Sequence, residues 1–468
     1  MKKITTGFAD KLVYEMADVL DARQVLDSAT VAERATSYWN SAPMKAAALA
    51  MPTTTDEVAA VLKACNDARQ AVITHGGLTN AVAAVEPNST DLVLSTERMT
   101  GIVEIDRVGC FAVVEAGAVL QTVQEAVSAE GLRFPLDLGA RGSCTIGGNI
   151  ATNAGGINVL RYGMMRNLVL GLEAVMADGT IVSSMNRMLK NNAGYDTKQL
   201  FIGTEGSLGV VSRAVLRLFP QPASRQNALV AMNGFDDVIA LLGHVQSRLA
   251  GTLSAFEVVW GDHYHAVTED GFLRAPLTRD YAFYVVFQAE GDNPAVDEER
   301  FEVVLEEAFE NGYIVDAVIP KSESEVQDIW RVREDFDAIL EPAPCYLYDV
   351  SLPIRSMEAY VNEVKRRVSS RWKNGRCFTF GHVADGNLHF FILPYEEGDH
   401  YHACNEYVYE PLQDLGGSVS AEHGIGVEKI RWLSHSKTKA DIDLMCMQKR
   451  NMDPNNILNP GRIFDAQY

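Results

Sequence analysis

The spacing of apolar residues changes several times along the chain, and each change marks an element. After Met51-Pro52, Thr55-Asp56-Glu57 opens a predicted helix that runs to about residue 70, with Val58, Leu62 and Cys65 on one face. Residues 71–74 read as a strand, and HGGLTN (75–80) follows as a turn. Strands are predicted at 92–95, 101–105 and 111–115, and a helix at 120–131. Apolar runs at 170–177 and 180–184 flank Asp178-Gly179, a pair suited to a two-residue hairpin turn. Residues 201–209 turn into a strand at 210–219, and Pro220 and Pro222 close this region. The first fifty residues read as mixed and largely helical, with an amphipathic piece near 11–26 and no evident chemistry.

Beyond Pro222 helices are predicted near 235–249, 296–311, 323–340 and 357–370. They alternate with strands near 254–260, 281–289, 313–318, 346–352 and 377–391. This alternation predicts a second region in which helices pack on a sheet. A helix at 438–452 precedes the closing DPNNILNPGRIF.

One stretch breaks the periodic pattern. Six of the eighteen residues from Gly139 to Gly156 are glycine, and no charged side chain follows Arg141 until Arg161. Glycine loses more backbone freedom on folding than any other residue, so this density implies close approach of the main chain to something. Ser143, Thr145, Asn149, Thr152 and Asn153 add short hydrogen-bonding groups that suit a phosphate or a heterocycle. Ile146, Ile150 and Ile157 make the stretch too apolar for a solvated linker.

Composition narrows the classes. The 468 residues are 47% hydrophobic, enough for two or three domains. A net charge of −21 argues against nucleic acid and anionic membranes as general partners, so an anionic substrate needs a local cationic site, arginine or metal. Seven scattered cysteines without a C-x-x-C argue against a disulfide framework, an iron–sulfur cluster or a thiolate zinc site. The setting expected from this is reducing and cytoplasmic, or peripheral to the inner face of a membrane. Met1-Lys2-Lys3 opens like a signal peptide, but Asp10 and Lys11 interrupt any apolar core, and residues 46–51 are too few to span a bilayer.

GHVADGNLH carries candidate metal chemistry. With Asp385-Gly386 as a two-residue turn, residues 384 and 387, 383 and 388, and 382 and 389 pair. His382 and His389 then lie opposite each other, Cβ atoms about 5 Å apart. Glu422 in SAEHGIG can add an oxygen ligand, and such a set suits Zn²⁺, Mn²⁺ or Fe²⁺. The alternative is two buried histidines hydrogen-bonded in a sheet. Glu422 and His423 are neighbours whose side chains point apart, so only one is expected to face the metal.

The blocks PLDLGARGSCTIGGNIATNAGG, LRYG, YDTKQLFIGTEGSLG, YLYDVSLP, GHVADGNLH, SAEHGIG and ILNPG, spread over most of the chain, closely resemble those of a known group. They are similar to the FAD-dependent D-2-hydroxyacid dehydrogenases (D-lactate and D-2-hydroxyglutarate dehydrogenases) of the vanillyl-alcohol oxidase / p-cresol methylhydroxylase flavoproteins. The resemblance implies an α+β fold with a two-subdomain flavin-binding domain and an α/β substrate domain, its antiparallel sheet packed by helices. The implied limits are 1–222 for FAD, 223–427 for substrate and metal, and 428–468 for a segment returning to the FAD domain.

It further implies FAD contacts at His75, Gly76, Gly77, Leu78, Thr79 and Asn80 in the first loop. The second loop would contribute Pro135, Asp137, Gly139, Ala140, Ser143, Thr145, Gly147, Gly148, Asn149, Ala151, Thr152, Asn153 and Gly155. Ile202, Gly203, Glu205, Gly206, Gly209, Val210, Val211 and Asn459 complete the set, though Glu205 reads equally well as a turn carboxylate in a structural hydrogen bond. Some relatives attach flavin through a histidine just after the two glycines. Leu78 stands there, so the FAD is expected to be noncovalent. By resemblance His423 is the catalytic base and Arg333 grips the substrate's 1-carboxylate, the alternative being a helix-face arginine paired with an acid such as Asp337.

The implied reaction is oxidation of a D-2-hydroxy acid to a 2-oxo acid, with hydride passing to flavin N5. D-2-hydroxyglutarate dehydrogenases typically have Thr, Lys and Asn where Asp337, Leu347 and Phe391 align. Losing a cation and gaining an anion there disfavours a second carboxylate, so a monocarboxylic substrate such as D-lactate or a larger apolar analogue is expected. A D-2-hydroxyglutarate dehydrogenase, a non-redox flavin transferase and a flavin-free metallohydrolase are the rivals; a nicotinamide enzyme is disfavoured because no G-x-G-x-x-G follows a strand. The electron acceptor (electron-transferring flavoprotein, quinone or cytochrome) is expected to be external, and homodimerisation is left open.

Overall fold

The computed structural model describes residues 16, 19–269, 272–340 and 344–465; of the amphipathic piece expected at 11–26, residues 11–15, 17 and 18 lie outside the described residues, and its end is a 3₁₀ turn, Ala22–Gln24, leading into a strand at Val25. The chain divides into two compact units: residues 1–155, 164–221 and 422–468, and residues 156–163 and 222–421. The later break between the units falls between Ala421 and Glu422.

The first unit contains a four-stranded sheet ordered Val25–Asp27, Ala48–Ala50, Leu92–Ser95, Val72–His75, antiparallel only in its first pair. The helix Thr55–Ala68 starts where Thr54 accepts the N–H of Glu57 and ends on Arg69 in the left-handed conformation. It buries Val58, Val61, Leu62 and Cys65 in the core. A second sheet of five antiparallel strands runs Ile102–Asp106, Phe111–Glu115, Val210–Arg217, Val169–Val175, Ile181–Ser184. Its last pair is a hairpin through Asp178-Gly179, but Met176 N–H donates to the Thr180 carbonyl and Val175 pairs with Ile181, so the loop is the three residues Ala177–Gly179, with Gly179 at φ 84°, and not the two-residue turn expected. The tail belongs to this unit: Leu458 bridges to Val72, and Ile457 and Leu458 enter the core.

The second unit is built on one antiparallel sheet of seven strands: Asp316–Val318, Ser224–Met232, Phe283–Gly291, Leu253–Trp260, Arg376–Gly381, Asn387–Leu393, Tyr346–Ser351. Every residue of Leu253–Trp260 and Asn387–Leu393 is buried, so both faces of the sheet are covered there. Helices Phe235–Leu249, Pro294–Glu310, Met357–Arg371 and Tyr401–Leu415 bury apolar stripes in this unit.

Two expectations for this unit are corrected. The helix predicted over 323–340 is two helices, Glu323–Glu334 and Asp337–Leu340. Asp335 leaves helical geometry, and its side chain accepts the N–H of Asp337, so a short acid turns the chain instead of continuing the ladder. The strand predicted over 377–391 is a pair joined by a longer connection than Asp385-Gly386 alone: Val383–Asp385 form a 3₁₀ turn closed by Gly386 at φ 93°. His389 therefore pairs with Phe380, not with His382.

Among the described residues no helix is long and apolar enough to cross a membrane.

Candidate functional site

The two glycine-rich loops of the first unit lie against each other. A Cβ on Gly77 would sit 2.1 Å from the Ser143 carbonyl oxygen and 2.8 Å from the Cys144 Cα. One on Gly76 would meet Thr145 Oγ1 at 2.5 Å, and one on Gly147 would meet the Ala116 Cβ at 2.7 Å. Gly77 is needed where main chain crosses main chain, and Gly76 and Gly147 where a neighbouring side chain closes in. Leu78 takes φ 58°, an uncommon conformation for a branched side chain, and turns the first loop sharply.

The second loop enters the helix Ile146–Thr152, capped by the Thr145 side chain on Gly148 N–H and ended by Asn153 at φ 50°. Thr152 donates back to the Gly148 carbonyl. Upstream, Asp137 pairs with Arg141, Leu136 after Pro135 accepts from Gln124, and the Ala140 carbonyl accepts the N–H of Ser143. A Cβ on Gly139 would meet nothing within 4 Å.

The 202–206 segment docks on this helix: Gly203 N–H donates to the Ile150 carbonyl and Glu205 N–H to that of Ala151. Ile202 is held through its carbonyl by Arg166, whose own N–H donates to Asn153. Gly206 takes φ 71°, Gly209 abuts the Phe201 ring, and Val210 and Val211 are buried in the strand that follows. Asn459 accepts from Thr74 N–H at 2.8 Å and donates to the Glu205 carbonyl at 2.5 Å.

Glu205 accepts the N–H groups of Ile425 and Gly426, which realises the structural role weighed for it. Burial pushes its carboxyl above the ordinary range, against the pull of those two amides. The His75 ring bonds the Val85 carbonyl, and burial brings its pKa down to about 4. Asn80 accepts from Val82 and Ala84 and donates to the His423 carbonyl; Thr79 offers its own carbonyl to Trp39. Nδ2 of Asn149, on a buried side chain, has no acceptor among the described residues, and Thr74 Oγ1, beside the first loop, has no partner among them either. A buried donor without an acceptor, beside two loops whose backbones lie in contact, fits a polar ligand such as the FAD diphosphate or ring.

The second unit assembles a different chemistry. Phe380, His389 and Asp349 form one row across three strands, since His389 pairs with Phe380 on one side and Asp349 on the other. His389 stacks on Phe380 with centroids 4.9 Å apart, and its Nδ1 lies 4.0 Å from Asp349 Oδ1. The His382 and His389 rings are 5.5 Å apart, so the 3₁₀ turn brings together the two imidazoles that a two-residue hairpin was expected to pair.

Glu257, which the sequence reading missed, is 1% exposed and sits 2.6 Å from His382 Nδ1. Arg333 Nε donates to the other Glu257 oxygen at 3.0 Å; Asp337 is not its partner here. Burial works against the Glu257 charge, but His382 and Arg333 outweigh it and hold the carboxylate below its ordinary range. The available signal was a lone acid in the otherwise uncharged run LSAFEVVW, because a buried strand seldom keeps a charge without a partner. Asp349 in YLYDVS carried the same signal. Its Oδ2 accepts the N–H of Ala421, the last residue of this unit, and Glu422 and His423 then open the segment that returns to the first unit. The donor chemistry of two adjacent imidazoles, one backed by a carboxylate, fits a divalent metal.

Residues 46–184 match the family model "FAD binding domain", and residues 221–463 match "FAD linked oxidases, C-terminal domain". The chain is 37% identical to D-2-hydroxyglutarate dehydrogenase of Bos taurus over 417 residues, 89% of this chain and 76% of that protein. It is 34% identical to D-2-hydroxyglutarate dehydrogenase of Stutzerimonas stutzeri over 97% of this chain and 99% of that one. A Schizosaccharomyces pombe relative bearing the name of a mitochondrial D-lactate dehydrogenase is 35% identical over 87% of this chain and 80% of its own. Among solved structures, p-cresol methylhydroxylase with substrate bound shares the fold: TM-score 0.79 at 16% identity, covering 100% of this chain and 99% of that one.

Fold and loops thus define a flavoprotein of the FAD-linked oxidase class. Within it, the chain belongs to the FAD-dependent D-2-hydroxyacid dehydrogenase family. It is an FAD-dependent oxidoreductase acting on a small hydroxy acid.

Proposed function

We propose that the enzyme oxidises a monocarboxylic D-2-hydroxy acid, D-lactate or a larger apolar analogue, to the 2-oxo acid. One observation carries the substrate choice. Next to the row Phe380–His389–Asp349, two residues along on the same face, lies the row Phe378–Phe391–Leu347. The residues of this row are all apolar, and the one lysine or arginine of the three strands, Arg376, is exposed at its strand's start, so the row offers an apolar side chain a home and a second carboxylate no buried cation. The relatives named D-2-hydroxyglutarate dehydrogenase favour that diacid as the second reading.

FAD supplies the acceptor for the α-hydrogen when bound, and Leu78 in place of a histidine leaves it noncovalent. His382 and His389, with Glu422 from the segment after Ala421, would hold a divalent metal, Zn²⁺ first and Mn²⁺ or Fe²⁺ next. The metal would contribute Lewis acidity toward the α-hydroxyl. Arg333 orients the substrate's carboxylate with its planar fork. An imidazole nitrogen of His423 takes the hydroxyl proton as general base. Electrons leave to an external acceptor: electron-transferring flavoprotein, quinone or cytochrome.

The test is an anaerobic screen in which D-lactate, D-mandelate and D-2-hydroxyglutarate are mixed with the purified flavoprotein. Bleaching by the monocarboxylates at lower concentration than by the diacid is the expected result; the reverse order overturns the substrate choice.

A further inference from the structure

Glu257, Arg333 and His382 close a three-membered ring of contacts inside the second unit. Glu257 Oε1 is 2.6 Å from His382 Nδ1, Arg333 Nε donates to Glu257 Oε2 at 3.0 Å, and Arg333 Nη2 lies 3.0 Å from His382 Nε2. Sheet pairing builds this array. Val258 is opposite Gly381, so Glu257 extends toward the residue that follows, His382. Arg333 reaches in from the last turn of Glu323–Glu334 with its guanidinium 5.2 Å from the Phe380 ring centroid.

The proton positions follow from which groups can donate. A guanidinium only donates, so His382 Nε2 is the accepting nitrogen and carries no proton. Nδ1 then bears the hydrogen and gives it to Glu257. This is the tautomer a metal-binding imidazole needs when its second nitrogen is backed by a carboxylate. Yet Nε2 has one lone pair, and here Arg333 donates into it. A metal cation at that nitrogen needs the same lone pair, and its charge repels the guanidinium.

We propose that Glu257 is a positioning residue that presets His382 for a divalent cation, and that Arg333 and that cation exclude each other from His382 Nε2. Metal entry then turns the Nη2 edge of Arg333 away from histidine and toward the substrate's carboxylate, while its Nε stays tethered to Glu257. By linkage, a carboxylate that engages Arg333 tightens the metal to the same extent. The inference rests on the metal reading given under Proposed function.

The test is calorimetric titration of Zn²⁺ into the chelator-stripped, flavin-loaded full chain, at a pH where histidine is neutral. Flavin absorbance and circular dichroism verify that each variant is folded. Glu257→Gln is expected to bind Zn²⁺ about tenfold more weakly, the range for loss of a carboxylate behind a metal-bound histidine. Arg333→Gln is expected to bind it about tenfold more tightly although it removes a residue of the site, because a charge-assisted hydrogen bond to the ligand atom is gone. The double variant, which leaves no lone buried charge, should bind more tightly than Glu257→Gln alone.

Unchanged affinity in Glu257→Gln overturns the positioning role. If Arg333→Gln and the double variant bind no tighter than their parents, mutual exclusion is overturned while the metal reading stands. If the unaltered enzyme takes up no more Zn²⁺ than His382→Ala, the metal reading falls and this inference with it.

Discussion

Glu205 and Gly426 lie 221 residues apart in sequence, yet the carboxylate of one accepts the backbone N–H of the other at 2.8 Å. The same carboxylate takes Ile425 N–H at 2.7 Å. The pair anchors the loop that follows His423, and Gly426 is at φ 52° with its Cβ direction blocked by the Val82 carbonyl at 2.1 Å. Glu205→Ala leaves two amide donors without their acceptor and should lower stability by roughly 2–4 kcal/mol. Urea denaturation followed by flavin release measures this. An unchanged midpoint would show that the loop is held by other means.

Gly77→Ala should be as damaging for a different reason. The added carbon meets the Ser143 carbonyl and the Cys144 Cα, both main chain, so the two loops must separate. A loss of about 1–3 kcal/mol is expected from such overpacking. The purified variant should carry less FAD per chain than the parent, read from the ratio of visible to protein absorbance. Full flavin content would mean that the contact of the loops is dispensable for binding.

His423→Ala should reduce turnover by about a hundredfold or more, the scale of a lost general base. Flavin should remain bound, because Asn80 holds this residue through its backbone carbonyl, which the substitution keeps. Turnover close to that of the parent would remove His423 from the reaction.

His263 makes the enzyme acid-sensitive. Phe336, Phe378, Phe380 and Phe391 surround its ring, and neither ring nitrogen has a hydrogen-bond partner among the described residues. Burial brings its pKa from 6.5 down to about 3. Since the folded value is the lower one, the unfolded chain binds the extra proton between these limits. Stability is therefore full above about 6.5 and falls as pH drops toward about 3, by up to ~1.4 kcal/mol per pH unit. His263→Phe should flatten that acid limb, seen in urea midpoints compared at about pH 5 and about pH 8. A residual slope is expected from His75, whose pKa is also lowered. An identical acid limb in the variant would show that His263 is protonated at little cost.

Leu347→Lys combined with Asp337→Thr should move preference toward D-2-hydroxyglutarate. Leu347 stands directly opposite Phe391, so the new ammonium would enter the apolar row. A charge-assisted hydrogen bond to a second carboxylate corresponds to about a tenfold or larger gain in relative kcat/KM. Competition kinetics of D-lactate against D-2-hydroxyglutarate would measure it. No change in the ratio would place the substrate's side chain elsewhere.

The sequence alone determined what depends on neighbours along the chain. The helix of Thr55–Ala68 was legible because a cap, an acidic first turn and an apolar stripe all fall within fourteen residues. That a hairpin turns at Asp178-Gly179 was legible because its turn chemistry is local, although its loop has three residues and not two. The glycine-rich loops announced themselves by composition, and the motif blocks named the family. What only the tertiary structure decided are relations between distant segments. Asp385-Gly386 looked like the same kind of turn as Asp178-Gly179, but the strand pairing around it set Phe380 against His389 and gave the connection extra residues. Glu257 sits in a strand with no motif and acquires a role only when Val258 pairs with Gly381 and brings it to His382. Backbone propensity acts over a few residues, whereas a buried carboxylate is stabilised by whichever distant donors the packed sheet delivers to it.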